Sequence, residues 1–545
     1  MRRSLLRSTA IIASLMLIGY GVAVTQDRAD PRWLVLLVVI AGLWAVALWP
    51  SRPLAPGAQV ILHLALVFAV GFGLVTVQVL RAHLLDRDRI LAKASDPASG
   101  VIDLRRVLAE RRIERGRILL RDGTVLASDT VDSSGTRVRV YHEQYGYVAG
   151  YYSPGLYGAA GIEQAWDGQL SGQRATSWDA WLDGLLHRTK RGHDVVLTVD
   201  PALQALGQRL LGDRAGAAVL LDADTGAVLA LVSSPAFDPN QLSVPLGATA
   251  EQLDRARRSF DRLQQDGRGP LLLRPVQGQY TPGSIFKTVT AAAAFESGIA
   301  TPDSLYRDDG AIVIDSRVII ERNRPDPSRV AYSLREAYGY SLNVVFAQVG
   351  LQLGGQRLEE MARAVGFERA IPFDLPVVPS RIARTSDFLA SQAGLAETAF
   401  GQGQLQVTPL QMALVAAAVV RDGTIPRPYL VAEVRTPDGH VVWRRTPSEW
   451  LRAFDGATAE ALRDLMVWSV ENGYAQPARI EGLRVGGKTG TAEVGDAAPH
   501  AWFIGFAEAG GHRVAVAVVI EHGGSGVQVA LPVGRSLLEA ALREG

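Results

Sequence analysis

Cysteine is absent from this chain of 545 residues. Its absence excludes disulfide bonds, thiolate zinc sites and a cysteine nucleophile, and it leaves the redox compartment undetermined. Serine, lysine, histidine and carboxylate side chains remain as candidates for chemistry.

Lysine is almost absent as well. The chain carries 56 lysines and arginines, of which only Lys93, Lys190, Lys287 and Lys488 are lysine. Genome composition accounts for the excess of arginine. Arginine cannot release its proton in a protein, whereas a buried lysine can become a neutral base. A site that needs such a base cannot accept arginine, so Lys287 and Lys488 are the lysines of interest.

Runs rich in lysine and arginine are also missing, and the formal net charge is only +1. We therefore expect no nucleic-acid partner. The chain is 48% hydrophobic with nearly balanced charges, which excludes disorder and, at this length, indicates two or three folded units.

Three long apolar stretches occupy the first 80 residues, at about 8–24, 33–49 and 59–80. Their lengths bracket the ~20 residues that cross a bilayer. A cleaved signal peptide is the alternative for the first stretch. With Arg2, Arg3 and Arg7 in the cytoplasm, three membrane crossings place everything after Arg81 outside the cytoplasm. Cleavage of the first stretch as a signal peptide gives the same result. We predict a membrane protein whose large remainder is an extracytoplasmic domain.

After residue 80 the sequence pattern divides the chain into two parts. Residues 81–199 predict short strands and turns, and residues 200–545 predict long helices alternating with strands. Asp122-Gly123 predicts a hairpin in the first part. In the second, Thr408 and Gly423 bound a buried helix, and strands at both ends of the region predict one antiparallel sheet covered by helices. The predicted class is α+β, with a membrane anchor at 1–80.

The stretch "TPGSIFKTVTAAAAFESG" places Ser284 at the start of a predicted helix. Lys287 lies three residues later on the same helix face, where its amine can reach the serine hydroxyl. The backbone N–H of Ser284 belongs to the unpaired first turn and can stabilise an oxyanion. Alone, this S-x-x-K is weak, because a helix-capping serine and a solvated lysine give the same pattern.

Two further motifs follow in order. Ser341-Leu342-Asn343 is expected on a loop before a helix, where both polar side chains can face a cleft; a helix-capping serine is the simpler interpretation. The second motif, on a predicted strand, is "GGKTGTAEV". Its Lys488 and Gly490 are expected on one face, and Gly490 would permit close approach of a substrate backbone. Three motifs in this order are specific where each one alone is not.

S-x-x-K, S-x-N and K-T-G in this order resemble the active-site serine penicillin-binding proteins and serine β-lactamases. From about residue 102 onward, further segments resemble the class B penicillin-binding proteins with a compact pedestal domain, including "RGRILLRDGTVLA", "YGAAGIEQAWDGQLSG" and "FGQGQLQVTPLQMA". The resemblance implies a pedestal at 81–199, a transpeptidase domain at 200–545 and a peptidoglycan D,D-transpeptidase activity.

The resemblance also implies roles for the three motifs. Ser284 would attack the carbonyl between the two terminal D-alanines of a stem peptide, with Lys287 as its base. Ser341 would relay a proton to the leaving D-alanine, and Asn343 would hold the donor amide. Lys488 would supply positive potential.

Residues 489–491 would complete the site. Thr489 and Thr491 would bind the terminal carboxylate beside Gly490, and the backbone N–H groups of Ser284 and Thr491 would form the oxyanion hole. The substrates would be stem peptides on lipid II-derived glycan strands, and β-lactams would be covalent inhibitors. No metal or organic cofactor is implied.

Two features depart from the family pattern. Arg274 stands where the family commonly has asparagine, and three predicted spans replace the usual single anchor. Residues 81–198 are too few for a glycosyltransferase domain, so the resemblance implies a separate polymerase of the SEDS type. The extra helices, with Ala69, Gly71 and Gly73, are a candidate docking surface for it.

Alternatives with the same serine chemistry remain open at this stage. A D,D-carboxypeptidase differs only in using water as the acyl acceptor, and a β-lactamase or membrane β-lactam sensor hydrolyses the acyl-enzyme or signals from it. A non-catalytic scaffold that activates a polymerase would need neither Ser284 nor Lys287.

Overall fold

The computed structural model describes residues 2–25, 30–49, 56–84, 113–131, 137–172, 190–245, 248–385 and 387–543. Lys93 lies outside these ranges. The chain divides into two compact units, Met1–Glu110 and Arg111–Gly545, which are described separately.

The first unit contains the helices α1 (Arg2–Val24), α2 (Pro31–Leu48) and α3 (Pro56–Leu84). Each contains a segment long and apolar enough to cross a membrane: Leu6–Val24, Pro31–Leu48 and Ala58–Arg81. The three predicted apolar stretches are therefore confirmed as helices.

Neighbouring helices of this unit run antiparallel. The indole of Trp33, at the start of α2, donates to Gln78 Oε1 near the end of α3 over 2.7 Å. Farther along α2, Trp44 Nε1 donates to Ser14 Oγ of α1 over 3.0 Å. Polar pairs between apolar helices satisfy groups that lipid cannot satisfy, so these contacts stabilise the bundle.

The second unit, Arg111–Gly545, begins with short strands and helices. Its strands before residue 200 are β1 (Ile113–Glu114), β2 (Ile118–Leu119), β3 (Val125–Val131), β4 (Arg137–Tyr141), β5 (Tyr151–Ser153), β6 (Gly158–Ala160), β7 (Lys190–Arg191) and β8 (Asp194–Leu197). The helices of this part are α4 (Gly146–Ala149), α5 (Ile162–Ala165) and α6 (Asp167–Leu170).

Longer elements follow. The strands are β9 (Gly216–Asp222), β10 (Val228–Ser234), β11 (Leu305–Arg307), β12 (Ala311–Ile314), β13 (Arg317–Ile320), β14 (Ala331–Ser333), β15 (Thr424–Pro426), β16 (Val431–Arg435), β17 (Val441–Arg444), β18 (Glu449–Arg452), β19 (Arg484–Val494), β20 (Ala497–Ala509) and β21 (His512–Ile520). The helices are α7 (Pro201–Leu211), α8 (Ala250–Gln265), α9 (Arg274–Gln277), α10 (Lys287–Glu296), α11 (Leu334–Gly339), α12 (Asn343–Ala364), α13 (Gln392–Ala399), α14 (Pro409–Val420), α15 (Gly456–Glu471) and α16 (Leu531–Arg543).

The central sheet is antiparallel, with the strand order β10-β9-β21-β20-β19. It joins strands from the start and the end of the region, as predicted. Successive residues of β9 enter two different cores: Val219 packs in the core that includes α10 and α14, and Leu220 in the core that includes α7 and α16. This period of two buries both faces of the sheet under helices.

Two local predictions are also confirmed. All twelve residues of α14 are buried, the Thr408 side chain caps its start, and Gly423 follows its end with a positive φ of 83°. The predicted hairpin joins β2 to β3, and Asp122 Oδ1 accepts from Thr124 N over 2.9 Å at its turn.

The pedestal region contributes β2, β3, β4 and β8 to a second sheet, in the strand order β17-β16-β8-β2-β3-β4. Strands β16 and β17 come from residues after 430, so this sheet combines segments from both sides of residue 199. The sequence-based limits of the pedestal, 81–199, and of the transpeptidase domain, 200–545, remain predictions.

A buried ionic network fastens the pedestal together. The Glu163 carboxylate accepts from Arg139 Nε over 2.6 Å and from Arg115 Nη2 over 2.9 Å. Asp129 pairs with Arg139 as well, at 3.1 Å. Because each charge has partners, the network tolerates burial that an isolated charge would not.

Candidate active site

A sharp turn between two tightly packed elements carries Ser284. Gly283 has a φ of 58°, and a Cβ there would lie 2.9 Å from the carbonyl oxygen of Thr491 on β19. The backbone N–H of Gly283 donates to the carbonyl of Gly401 over 2.8 Å. A single turn of 3₁₀-helix, Gly283–Phe286, then leads into α10. The turn therefore holds Ser284 at the start of a helical segment, as predicted.

Lys287 is the first residue of α10, and its side chain is completely buried. Its Nζ lies 3.1 Å from Ser284 Oγ, 3.2 Å from Ser341 Oγ and 2.8 Å from Asn343 Oδ1. It also donates to the Ser341 carbonyl over 2.7 Å. One amine thus joins the S-x-x-K and S-x-N motifs, which are more than 50 residues apart in the sequence.

Burial changes the chemistry of this amine. It lowers the pKa of Lys287 to about 7, while the negative charge of Glu321 opposes the decrease. At neutral pH a large fraction of the side chain is unprotonated, as a general base must be.

Ser341 lies on the short loop between α11 and α12, with a positive φ of 63°. Non-glycine residues rarely adopt this conformation, and here it is held by surrounding hydrogen bonds. Asn323 Nδ2 donates to the Ser341 carbonyl over 3.2 Å. Asn343 then begins α12, so the predicted arrangement of a loop before a helix is confirmed.

Glu321 and Asn323 belong to this site and were missed by the sequence reasoning. They follow β13 in "IIERNRPD", a stretch without a recognisable motif. The stretch is polar and has no hydrophobic periodicity, so nothing in the sequence marks its carboxylate as buried.

Strand β19 forms the opposite side of the site. Thr489, Gly490 and Thr491 line the cleft, while Lys488 lies beneath it with only 1% exposure. A Cβ at Gly490 would lie 3.0 Å from the carbonyl oxygen of Pro282. In the structure, the glycine therefore makes room for the serine-bearing turn of the protein itself.

Lys488 is electrostatically coupled to Lys287. Burial, reinforced by the charge of Lys287, holds the pKa of Lys488 well below its usual value. Its Nζ donates to the Thr489 carbonyl over 3.0 Å and lies 5.7 Å from the centre of the Tyr338 ring. Two buried lysines in one site disfavour each other's protonated form.

The cleft has a volume of about 650 Å³. Six of the eight predicted site residues line it, and the two lysines lie below its floor. The β12–β13 hairpin provides a wall that includes Val318 and Ile320, and Phe400 and Tyr474 add aromatic surface. Within the described ranges, no cluster of three or more His, Asp or Glu side chains could hold a metal ion.

Arg274, the departure from the family pattern, lies behind the serine turn and is buried. Its Nε donates to Glu521 Oε1 over 2.7 Å, and the Tyr280 hydroxyl donates to the same oxygen over 2.7 Å. Trp502 Nε1 donates to the Thr281 carbonyl over 3.0 Å. These contacts fix the strand-like segment that leads into the turn.

Comparisons with known proteins identify the family of the chain. Residues 216–539 match the penicillin-binding protein transpeptidase domain, and residues 115–195 match the penicillin-binding protein A dimerisation domain. These matches define the protein as a penicillin-binding transpeptidase. The chain belongs to the class B penicillin-binding protein family.

Individual relatives are similar over most of the chain. The peptidoglycan D,D-transpeptidase PbpA of Mycolicibacterium smegmatis is 35% identical over 460 residues, which are 81% of this chain and 91% of that protein. The structure of penicillin-binding protein A from M. tuberculosis, a ceftriaxone acyl-enzyme complex, is 34% identical with a TM-score of 0.73, covering 80% of this chain and all of that chain. Penicillin-binding protein 2 of Pseudomonas aeruginosa is 28% identical with a TM-score of 0.65, covering 79% and 96%.

Proposed function

We propose that this protein is a peptidoglycan D,D-transpeptidase that works through an acyl-enzyme on Ser284. One observation carries the assignment of the nucleophile: the Lys287 amine, whose pKa burial lowers to about 7, lies 3.1 Å from Ser284 Oγ. A serine hydroxyl is a weak nucleophile until an adjacent base removes its proton. The similarity to the PbpA transpeptidases supports the reaction class.

In the acylation step, the neutral amine of Lys287 accepts the hydroxyl proton as Ser284 Oγ attacks the carbonyl of the penultimate D-alanine. The backbone N–H groups of Ser284 and Thr491 stabilise the resulting oxyanion. Ser341, 3.2 Å from Lys287 Nζ, relays the proton to the nitrogen of the leaving D-alanine. The bond between the two D-alanines breaks and an ester on Ser284 forms.

The remaining site residues hold the donor peptide. Asn343 binds its amide, and Thr489 and Thr491 bind the terminal carboxylate beside Gly490. A bound carboxylate favours the protonated form of Lys488 and so offsets the effects of burial and of Lys287. The positive potential of Lys488 therefore develops when the substrate arrives.

The acyl group then passes to an amine of a neighbouring stem peptide, which forms the crosslink and releases Ser284. Water in place of that amine would make the protein a D,D-carboxypeptidase, whereas a β-lactamase would hydrolyse a β-lactam acyl-enzyme and a β-lactam sensor would signal from it. The match of residues 115–195 to a pedestal-type domain favours the transpeptidase. The same chemistry makes β-lactams covalent inhibitors, as in the acyl-enzyme complexes of the M. tuberculosis relative.

Labelling with a fluorescent penicillin tests the nucleophile and the base. We expect a covalent label on the wild type and none on Ser284→Ala. Lys287→Arg keeps a positive charge but removes the base, so we expect its labelling rate to fall by at least ~100-fold. A label that persists on Ser284→Ala would refute the nucleophile.

The membrane helices anchor the enzyme, with the catalytic unit outside the cytoplasm. A SEDS-type polymerase is the proposed membrane partner, and α3 offers its surface: Phe68 and Phe72 are exposed, and a Cβ at Gly71 would meet nothing within 4 Å. Gly73 instead packs against Trp44. Replacing all three helices with one generic anchor should abolish co-purification of the polymerase, and unchanged co-purification would argue against this docking surface.

A further inference from the structure

Glu321 is a buried carboxylate beside the proposed active site, and no motif assigns it a role. Its residue is 8% exposed, and it follows the last strand of the β12–β13 hairpin. Glu321 Oε2 accepts from the backbone N–H of Val344 over 3.0 Å, in the first turn of α12. Because that turn has unpaired N–H groups and a partial positive charge, the carboxylate stabilises the start of the helix that carries Asn343.

The other carboxylate oxygen organises the loop that supports Ser341. Glu321 Oε1 accepts from Asn323 N over 3.0 Å, and Asn323 Nδ2 donates to the Ser341 carbonyl over 3.2 Å. The Tyr474 hydroxyl fixes Asn323 from the other side by donating to its carbonyl over 2.8 Å. The Ser341 carbonyl held in this way is also the acceptor closest to Lys287 Nζ, at 2.7 Å.

The charge of Glu321 also acts on Lys287. Burial lowers the pKa of Lys287 to about 7, and Glu321 is the group that raises it. Lys488 on β19 is also buried, and the charge of Lys287 adds to burial in lowering its pKa. Other charged side chains line the cleft above: Arg317, Arg322, Glu397 and Glu493.

We propose, building on the acyl-enzyme function above, that Glu321 is a positioning residue for acylation, which holds Ser341 and Asn343 against Lys287 and supplies a fixed negative charge beside the base. It contacts no reacting atom and acts through the S-x-N loop and the lysine. These contacts of Glu321 explain how Ser341 keeps its positive φ of 63° and how its side chain stays within hydrogen-bond distance of Lys287.

The test is the second-order rate constant of penicillin acylation as a function of pH, measured on the full-length protein. In the wild type we expect an acidic limb, in which the rate constant rises with pH, followed by a plateau. Removal of the charge in Glu321→Gln should move this acidic limb to lower pH by roughly half a unit to one unit, because the Lys287 amine loses a proton more easily. The plateau should fall roughly five- to tenfold as the S-x-N loop loosens.

Three variants separate charge from geometry. Glu321→Asp keeps the charge with a shorter reach, so its limb should stay at the wild-type pH while the plateau falls. Asn323→Ala removes the support of the Ser341 carbonyl and should also lower the plateau without moving the limb. Glu493→Gln neutralises a carboxylate that lines the same cleft, and its limb should not move.

An unshifted limb in a folded Glu321→Gln variant would overturn the proposal. Should that variant lose its cooperative thermal transition, Glu321→Asp decides: a reduced plateau supports the proposal and a wild-type plateau overturns it. Failure of the proposed function itself is recognised separately, because it would leave Ser284→Ala labelled by penicillin.

Discussion

Lys287 acquires its proposed chemistry from burial. The same residue type in water has a pKa near 10.4 and is a poor base at neutral pH. Complete burial lowers the pKa of Lys287 to about 7, whereas the negative charge of Glu321 opposes that decrease. Arginine could not respond to such an environment, which agrees with the retention of lysine at this position in an arginine-rich chain.

Acylation should therefore depend on pH through Lys287. Since the proposed base is the unprotonated amine of Lys287, whose pKa burial lowers to about 7, the rate constant should rise with pH through neutrality and level off above about pH 8. At pH 6 we expect roughly a tenth of the plateau rate. Stopped-flow measurement with a chromogenic β-lactam between pH 5.5 and 9 tests this, and a rate constant independent of pH over that range would contradict the assignment of the base.

Close approach between elements requires glycine at two points of the site. Gly283 permits the turn before Ser284, and Gly490 lets β19 pass next to that turn. A Cβ at Gly490 would meet Pro282 O at 3.0 Å, Ile285 Cγ2 at 3.1 Å and Trp502 Cβ at 3.1 Å. The distance between the serine turn and β19, the strand proposed to bind the substrate carboxylate, is thus set by the absence of a side chain at Gly490.

Gly490→Ala should displace the serine turn and reduce acylation by roughly tenfold or more, because small shifts at a reacting centre are costly. The thermal midpoint should fall as well, since overpacking costs ~1–3 kcal/mol. Gly456→Ala, at the start of α15, is the matched control because a Cβ there meets nothing within 4 Å. Equal effects of the two substitutions on acylation would contradict this explanation.

Two sheets organise the second unit as a whole. The central antiparallel sheet supports the active site, and the pedestal sheet recruits β16 and β17 from the far end of the chain. The buried ion pairs of Glu163 with Arg115 and Arg139 stabilise the pedestal. These residues are far in the sequence from every proposed site residue. Pedestal stability and active-site chemistry can therefore be separated experimentally.

Glu163→Gln should destabilise the pedestal while sparing the chemistry. It leaves Arg115 and Arg139 buried without their shared carboxylate, at a cost of ~3–5 kcal/mol. Thermal unfolding in detergent measures the loss, and acylation below the transition should stay near the wild-type rate. Glu251→Gln breaks only an exposed pair with Arg255, worth less than ~1 kcal/mol. A similar loss of thermal stability in Glu163→Gln and Glu251→Gln would contradict a stabilising role for the Glu163 network.

Several features could be predicted from the sequence because they depend on local patterns. The three apolar helices follow from their length and composition, and α14 follows from its cap at Thr408 and its glycine stop. The ends of the central sheet follow from apolar strands on both sides of the helical region. The motif residues Ser284, Lys287 and Lys488 are found by spacing and by the scarcity of lysine, without any knowledge of distances.

Only the tertiary structure decided which groups surround those motifs. Glu321 and Asn323 reach the site because the β12–β13 hairpin ends beside the S-x-N loop, and no periodicity marks either of them. The sequence also does not show that β16 and β17 join the pedestal sheet, since the pairing of β16 with β8 joins residues more than 200 positions apart. The sequence by itself determined the local elements and the reactive residue types. Burial and charge, which set the pKa of Lys287, exist only once distant segments have packed together.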